Sequence, residues 1–525
     1  MDLTSWSWLF LILYVGVMIA LGYVGSKRVK NADDFAIARG SYGPFFLALA
    51  FAATTASGAT FLGSPALAYQ WGLPAVLGNF LYPISLYFGV LISMRLIASS
   101  GNRFGNRSIP EFLGDRYQSD GIRILVSLFS LMLLFYLAGQ LVSGLVMFET
   151  MLGLSNAWAL FITTVVLMIY VTMGGAHADI LTDGVQGAMM LVLGIVVILM
   201  FLFGVGFEGG LAEVLEKVER SDPRHIAVIN PATPIYHSWW AITAILLAHL
   251  PLGLLPHIGN KLWALKAEED QLRFVKLAFA IGLIMAMLVL GGVLARGLFG
   301  DALLAAGANP NQALPLLFIE IFPTWLAALI GIGILSAIMS TADGLVISSS
   351  QIIANDLYRR SIVPRLSKKL SEKEVDRRVL IISRWSTVIV LILCAGMAWM
   401  LMDENIALIV WIGTGGMMAA FAGPLVMGAL WRGVTKAGAY AGLVSGMATF
   451  IILHSGVLDP AWFHGSPLFG VVTWLQGEAP NPFSCAAMGE IVSVTSTWGV
   501  SKLTQPLERT HVEEMFGVDP SSSSG

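Results

Sequence analysis

A chain of 525 residues that is 56% hydrophobic and 12% charged, with a mean hydropathy of +0.77, is too apolar for a soluble globule of ordinary composition. It reads as a polytopic membrane protein whose first partner is the lipid bilayer. The net charge of −3 offers no basic patch for nucleic acid, and Cys394 and Cys485 stand in no metal or redox spacing, which excludes a zinc site or a disulfide framework.

A membrane-crossing helix needs about 20 apolar residues. Thirteen such stretches follow one another, near 7–25, 43–70, 75–98, 124–152, 155–173, 181–206, 238–258, 274–298, 324–352, 379–402, 406–430, 437–456 and 484–501. They are called spans 1 to 13 below. Span 1 has its first basic residues, Lys27, Arg28 and Lys30, behind it, so it is expected to stay in the membrane rather than be cleaved as a signal.

Thirteen spans put the termini on opposite sides. With the N-terminus outside, the inner loops hold the basic clusters around Lys27, Arg103, Lys261, 359–378, Arg432 and Lys502. Of 30 Lys and Arg, only Lys217, Arg220, Arg224 and Arg296 then fall at or near the outer side. That bias follows the positive-inside rule. The expectation is a multi-pass protein of the plasma (inner) membrane with its N-terminus outside and its C-terminus cytoplasmic.

Span 2 carries Thr54, Thr55, Ser57, Gly58, Thr60, Gly63 and Pro65 in quick succession. Lipid offers no partner to a freed backbone group, so an apolar span normally stays helical. This one is a candidate broken helix, whose loose carbonyls would coordinate a cation and whose amides would face an anion. The competing reading is an unbroken helix that packs closely through small residues.

The outer loops at 207–238, 301–323 and 458–482 read as an amphipathic surface helix and two Pro- and Gly-rich caps. The inner Ser-Ile-Pro-Glu at 108–111 is a capping box. Gly204, Gly206 and Gly209 spell GxGxxG at the end of a membrane helix rather than after a strand, which argues against a nucleotide loop. No Walker A, HExxH or GxSxG pattern occurs, so no catalytic residue is assigned and no enzyme is expected. His177, His249 and His257 are too scattered for a metal set. His257 is expected to orient a break in span 7.

In span 9, helical spacing puts Ala337, Thr341, Gly344 and Ser348 on one stripe, with Ser340 beside it and Asp343 one turn on. Hydroxyls in membrane helices often only bond back to their own helix. A carboxylate inside a span is costly and needs a wet cavity, a partner or an ion. Two adjacent hydroxyls facing released carbonyls would make an oxygen cage for a hard cation such as sodium.

Seven passages now carry a resemblance: DDFAIARG at 33–40, GSPALAYQWG at 63–72, SIPEFLGDRY at 108–117, GGAHADILTDGVQG at 174–187, SAIMSTAD at 336–343, NDLY at 355–358 and GPLVMGALW at 423–431. In this order and spacing the chain resembles the sodium:solute symporter family, in its bacterial proline, pantothenate and monocarboxylate branch, from span 1 through span 12. The resemblance implies an all-α LeuT-type fold of about 13 transmembrane helices with two inverted five-helix repeats. Residues 1–42 would form the first helix and its inner loop, 43–206 the first repeat and 207–430 the second. Residues 431–503 would add two C-terminal helices and 504–525 a cytoplasmic tail without fixed structure. Pro251, Gly253 and Pro256 interrupt span 7, the counterpart of span 2 in the second repeat. Paired interruptions of this kind point to a midplane site.

The family's main sodium site carries over onto the carbonyls of Ala53, Ala56 and Ala337 with the hydroxyls of Ser340 and Thr341. Asp183 matches an acidic residue on the ion's exit path or at a second sodium site; the alternative is an ordinary carboxylate near a helix N-terminus. Where some members have a second hydroxyl pair, this chain has Asp343 and Gly344, so Asp183 and Asp343 would bind a cation between them or share a proton. For substrate the resemblance implies Thr55, Ser57, Gly58 and Thr60 on span 2, Asn79 on span 3, Tyr136 on span 4, and Pro251, Leu252 and Pro256 on span 7. Gln140, one turn from Tyr136, is a tenth candidate that would add a polar contact to the substrate; the alternative is that it lines the bundle without contact.

The implied function is sodium-coupled symport of a small carboxylate or amino-acid-like solute into the cell by alternating access. Sodium is the coupling ion, and no obligate protein partner is evident. The alternatives are a proton-coupled symporter using Asp183 and Asp343, and a non-transporting membrane sensor, for which the tail after 504 leaves no room for a signalling domain.

Overall fold

The structure is a computed structural model and describes residues 1–366 and 370–517. Its secondary structure is helical, with one isolated bridge between Tyr42 and Leu265. Among the described residues nine helices are long and apolar enough to cross a membrane. The bent pairs Pro44–Thr55 with Ala59–Trp71, and Trp239–Leu254 with Pro256–Ala264, bring the number to eleven. Thirteen spans were expected. Span 5 contributes only the short apolar helix Asn156–Ile169. Span 13, Pro482–Leu503, has the length but dilutes its apolar residues with Ser, Thr, Glu490 and Lys502.

The bundle presents its apolar side chains outward, as a lipid-facing surface does. Ile12, Trp158, Phe203, Trp385 and Ile392 are all more than half exposed. The centre belongs to span 9, Thr324–Gln351, in which every residue from Gly331 onward is buried. Span 9 packs against span 6, span 1 and the first half of span 2. Its small residues, Gly331, Ala337, Ser340 and Ala342 among them, allow that close approach.

Both expected interruptions are present. The first half of span 2 starts with Pro44 at its N1 position and ends at Thr55, and Ala56 leaves helical geometry at φ −90°, ψ 81°. Ser57 then starts the second half: its carbonyl accepts from Thr60 and Phe61, and its Oγ accepts from the Ala59 amide at 3.1 Å. The axis bends by 62° there. In span 7 the α-helix stops at Ala248, 3₁₀ turns carry the chain through Leu252–Leu254, and Pro256 restarts it after a bend of 50°.

A third break separates spans 5 and 6. Gly175 has φ 51° and ψ −142° in the middle of Asn156–Phe203. A Cβ there would lie 2.5 Å from the Phe35 carbonyl oxygen, so only glycine fits. Span 6 thus begins at Gly175, and Asp179 and Asp183 follow in its first turns.

The polar tail is not without structure. Arg509–Met515 is helical, Met515 is buried, and Arg103 donates to the Glu514 and Met515 carbonyls at 3.0 Å each. The apolar pair Met515 and Phe516 supplies the anchor that the polar residues around it conceal. Residues 518–525 lie outside the described residues.

Candidate functional site

The break in span 2 leaves carbonyls without helical partners. Ala56 N–H still reaches the Ala52 carbonyl at 2.9 Å, but the carbonyls of Ala53 and Thr54 belong to the last turn and need donors from elsewhere. Span 9 supplies them. Ser340 Oγ donates to the Ala53 carbonyl at 3.0 Å and Thr341 Oγ1 to the Thr54 carbonyl at 3.0 Å. Both hydroxyls also lie by the Ala337 carbonyl, at 3.0 and 3.4 Å. The five residues Ala53, Ala56, Ala337, Ser340 and Thr341 are all completely buried. Carbonyl and hydroxyl oxygens without a fixed charge are the donor set a monovalent hard cation takes.

Next to this junction lies a buried charged cluster. One carboxylate oxygen from each of Asp179, Asp183 and Asp343 lies within 4.8 Å of the other two. Thr54 Oγ1 donates to Asp183 at 2.7 Å, and Thr182 Oγ1 approaches Asp343 at 3.4 Å. Lys261 Nζ reaches Asp179 at 2.8 Å and Thr54 Oγ1 at 2.6 Å, and is bonded to Asp183. Asp183 and Asp343 are thus brought together.

Asp179, Lys261 and Thr54 were not singled out as site residues from sequence. Asp179 stands four residues before Asp183 on one helix face, a spacing that would have found it. Lys261 was counted with the basic residues of an inner loop, yet it is 5% exposed within the broken half of span 7. Its signal was that it follows a Pro-broken apolar run by only a few residues.

Two cavities flank the junction. One is lined by Thr55, Ser57, Thr60, Asn79, Tyr136 and Leu252, six of the ten expected substrate residues. Tyr82, Tyr236, His249, Trp411 and Phe483 complete its aromatic wall, and among the described residues lining it none is Lys, Arg, Asp or Glu. His249 Nδ1 is held by the Ile245 carbonyl at 2.6 Å, and its ring packs on Tyr82, Trp411 and Phe483. These aromatic residues come from spans 3, 7, 11 and 13 and the loop before span 7, and no local pattern announces them.

The other four expected residues are placed differently. Gly58 donates its amide to Gln140 Oε1 at 2.9 Å, and a Cβ on Gly58 would meet Ser143 Oγ at 2.4 Å. Gly58 and Gln140 therefore form a pair behind the cavity wall. Pro256 lines the second cavity, with Asp179, His257, Asn260, Lys261 and Ser348. Pro251 lines neither and serves the break, its carbonyl accepting from Leu254 at 2.9 Å. His257, expected to orient that break, packs edge-on against Tyr136 with ring centroids 5.2 Å apart.

Comparison with known proteins agrees with this geometry. A family model described as "Sodium:solute symporter family" matches residues 35–446. The sodium/pantothenate symporter of Haemophilus influenzae is 28% identical over 478 residues, covering 90% of this chain and 94% of that protein. The sodium/proline symporter of Salmonella typhimurium is 28% identical over 504 residues, covering 91% and 94%. Among solved structures, a Na+-coupled sialic acid symporter in a substrate-bound outward-open state superposes with a TM-score of 0.74 at 21% identity, over 97% of this chain and all of that one. That likeness shows the fold to be of the LeuT type. Matched over most of its length by the family model, this chain belongs to the sodium:solute symporter family.

Proposed function

We propose that this chain couples the inward movement of sodium to the uptake of a small organic solute bearing a carboxylate, as a secondary transporter working by alternating access. The observation that carries the reading is the meeting of two helix-end carbonyls, Ala53 and Thr54, with the adjacent hydroxyls of Ser340 and Thr341. Sodium would be held by the carbonyls of Ala53, Ala56 and Ala337 and by those two hydroxyls. The hydroxyls would turn their protons away from the carbonyls so that the oxygens face the ion.

Coupling follows from one step of chain. The Ala53 and Thr54 carbonyls face span 9, while Thr55 and Ser57 line the solute cavity. An ion that braces the first pair fixes the second, so each ligand favours the other by the same factor. The route inward would pass Asp183 and Asp343 into the cavity lined by Pro256 and Ser348.

Among the described residues the solute cavity is lined by no Lys or Arg, so a carboxylate would be met by the hydroxyls of Thr55, Ser57 and Thr60 and by amides at the break. The Gly58 amide, which now donates to Gln140 Oε1, would be one such donor if Gln140 gave way. The aromatic wall suits an apolar remainder, and the named solutes of the relatives, proline and pantothenate, are carboxylates of this kind. In the membrane the two five-helix halves, 43–206 and 207–430, would form the moving core, with the N-terminus outside and the tail in the cytoplasm.

The test is uptake into proteoliposomes, with proline and pantothenate as first probes. An inward sodium gradient should drive accumulation of a carboxylate solute, and Ser340→Ala with Thr341→Ala should abolish it. The reading fails if no carboxylate responds to sodium and the double substitution changes nothing. A proton-driven version is favoured by the closeness of Asp179, Asp183 and Asp343. Accumulation that follows a pH gradient in sodium-free buffer would select it.

A further inference from the structure

Lys261 brings a fixed positive charge to within one residue of the ion junction. We infer that its ammonium fills, from within the chain, the cation position made by Asp179 and Asp183, so that the protein binds one exchangeable sodium rather than two. This rests on the sodium reading above.

An ammonium group has three donors. Here all three have oxygen partners: Thr54 Oγ1 at 2.6 Å, Asp179 Oδ2 at 2.8 Å, and Asp183 Oδ2. The lysine side chain is 5% exposed, and those of the two aspartates are 4% and 0% exposed. A charge buried to that degree is tolerated only when paired, and removing one partner leaves the others uncompensated. The oxygen set that holds Nζ, two carboxylates and a hydroxyl, is also what a hard metal cation would take.

Thr54 makes the position part of the transport site rather than a separate structural ion pair. Its hydroxyl accepts from Lys261, and its carbonyl accepts from Thr341. A mobile cation entering between Asp179 and Asp183 would meet the ammonium at contact distance and be repelled. The sodium position bounded by Ser340 and Thr341 meets the Thr54 carbonyl rather than its hydroxyl and would stay available. The chain therefore supplies one of two neighbouring positive charges itself and takes the other from solution.

The experiment counts sodium on the purified full-length protein in nanodiscs, by scintillation-proximity binding of radioactive sodium alone, without any solute. The wild type should bind one sodium per chain with a hyperbolic curve. Lys261→Met should bind two, and the second should vanish again in Lys261→Met with Asp183→Asn. Lys261→Arg, which keeps the charge, should bind one. Two sodium ions on the wild type overturn the inference, as does a single ion on folded Lys261→Met with unchanged affinity. The wild-type count decides even if Lys261→Met is not recovered folded. A wild type that binds no sodium overturns the sodium reading itself, and that result is distinct from either of the others.

Discussion

The Thr341 hydroxyl donates to the Thr54 carbonyl at 3.0 Å across 287 residues of chain, and Ser340 does the same for Ala53 at the same separation. Ser340→Ala would remove one oxygen from the sodium shell and leave the buried Ala53 carbonyl without its donor. A hydrogen bond to a charged group is worth about 1.5–3 kcal/mol, so the sodium concentration for half-maximal uptake should rise roughly ten- to a hundredfold. The maximal rate at saturating sodium should fall less. Thr341→Ser keeps the hydroxyl and should stay near the wild type. Uptake measured against sodium concentration checks both. An unchanged sodium curve for Ser340→Ala would take that hydroxyl out of the ion's shell.

The two breaks were legible because they are written in local chemistry. Pro251 and Pro256 in one span each remove a backbone donor, and the cluster of Ser57, Gly58, Gly63 and Pro65 in the other is dense enough to be read as a break, although small residues alone also suit close packing. Ser340 and Thr341 were legible only jointly with span 2, through the family's pattern. Lys261 was misplaced because a lysine after an apolar run looks like an inner loop residue; its burial depends on where Asp179 and Asp183 arrive from span 6, which no local signal gives. The aromatic wall of Tyr82, His249, Trp411 and Phe483 was missed for the same reason, since four separate segments build it. The tail helix was missed because its two anchoring residues, Met515 and Phe516, are outnumbered by polar neighbours.

On the proposed function, a solute carboxylate that displaced Gln140 from the Gly58 amide would compete with it for that donor. Gln140 Oε1 accepts from Gly58 N–H at 2.9 Å, while its Nε2 has no hydrogen-bond partner among the described residues. Gln140→Glu puts an anionic oxygen in that place. The solute concentration for half-maximal uptake should rise about tenfold or more, since like charges in a poorly screened site cost at least ~1.4 kcal/mol. An uncharged amide analogue of the same solute should bind as before. If both solute and analogue weaken equally, the carboxylate does not approach Gly58.

Gly175→Ala should unfold the join between spans 5 and 6. Its φ of 51° with ψ of −142° lies in a region that alanine rarely adopts, and the new methyl would meet the Phe35 carbonyl oxygen at 2.5 Å. Strain of about 1–3 kcal/mol is expected from the backbone alone, with the clash added to it. Because Asp183 follows the break and, with Lys261, holds the Thr54 side chain beside the ion junction, sodium binding should fall together with thermal stability. Thermal unfolding in detergent with and without sodium reads both. A stable Gly175→Ala that binds sodium normally would show that the break is not needed to place the two aspartates.

Phe516, at the end of the C-terminal helix, should stabilise the protein by a modest amount that its geometry sets. The Phe516 ring packs under two guanidinium groups, Arg116 and Arg432, each 5.1 Å from its centroid. Arg116 is 1% exposed and also lies 5.0 Å from the Tyr117 ring. Phe516→Ala removes two cation–π contacts, worth about 0.5–1 kcal/mol at the exposed Arg432 and about 2 kcal/mol at the buried Arg116, but it also lets water reach Arg116 and recover part of that loss. The expected net cost is therefore roughly 1–2 kcal/mol. Arg116→Ala should cost somewhat more, about 2–3 kcal/mol, because the lost packing beneath Tyr117 and Phe516 is offset only in part by removing a buried guanidinium whose Nε and Nη1 have no hydrogen-bond partner among the described residues. Thermal unfolding of the two variants in the same detergent should place Phe516→Ala between the wild type and Arg116→Ala. The reverse order would mean that the tail, rather than the buried guanidinium, holds the loops around Arg103, Arg116 and Arg432 together.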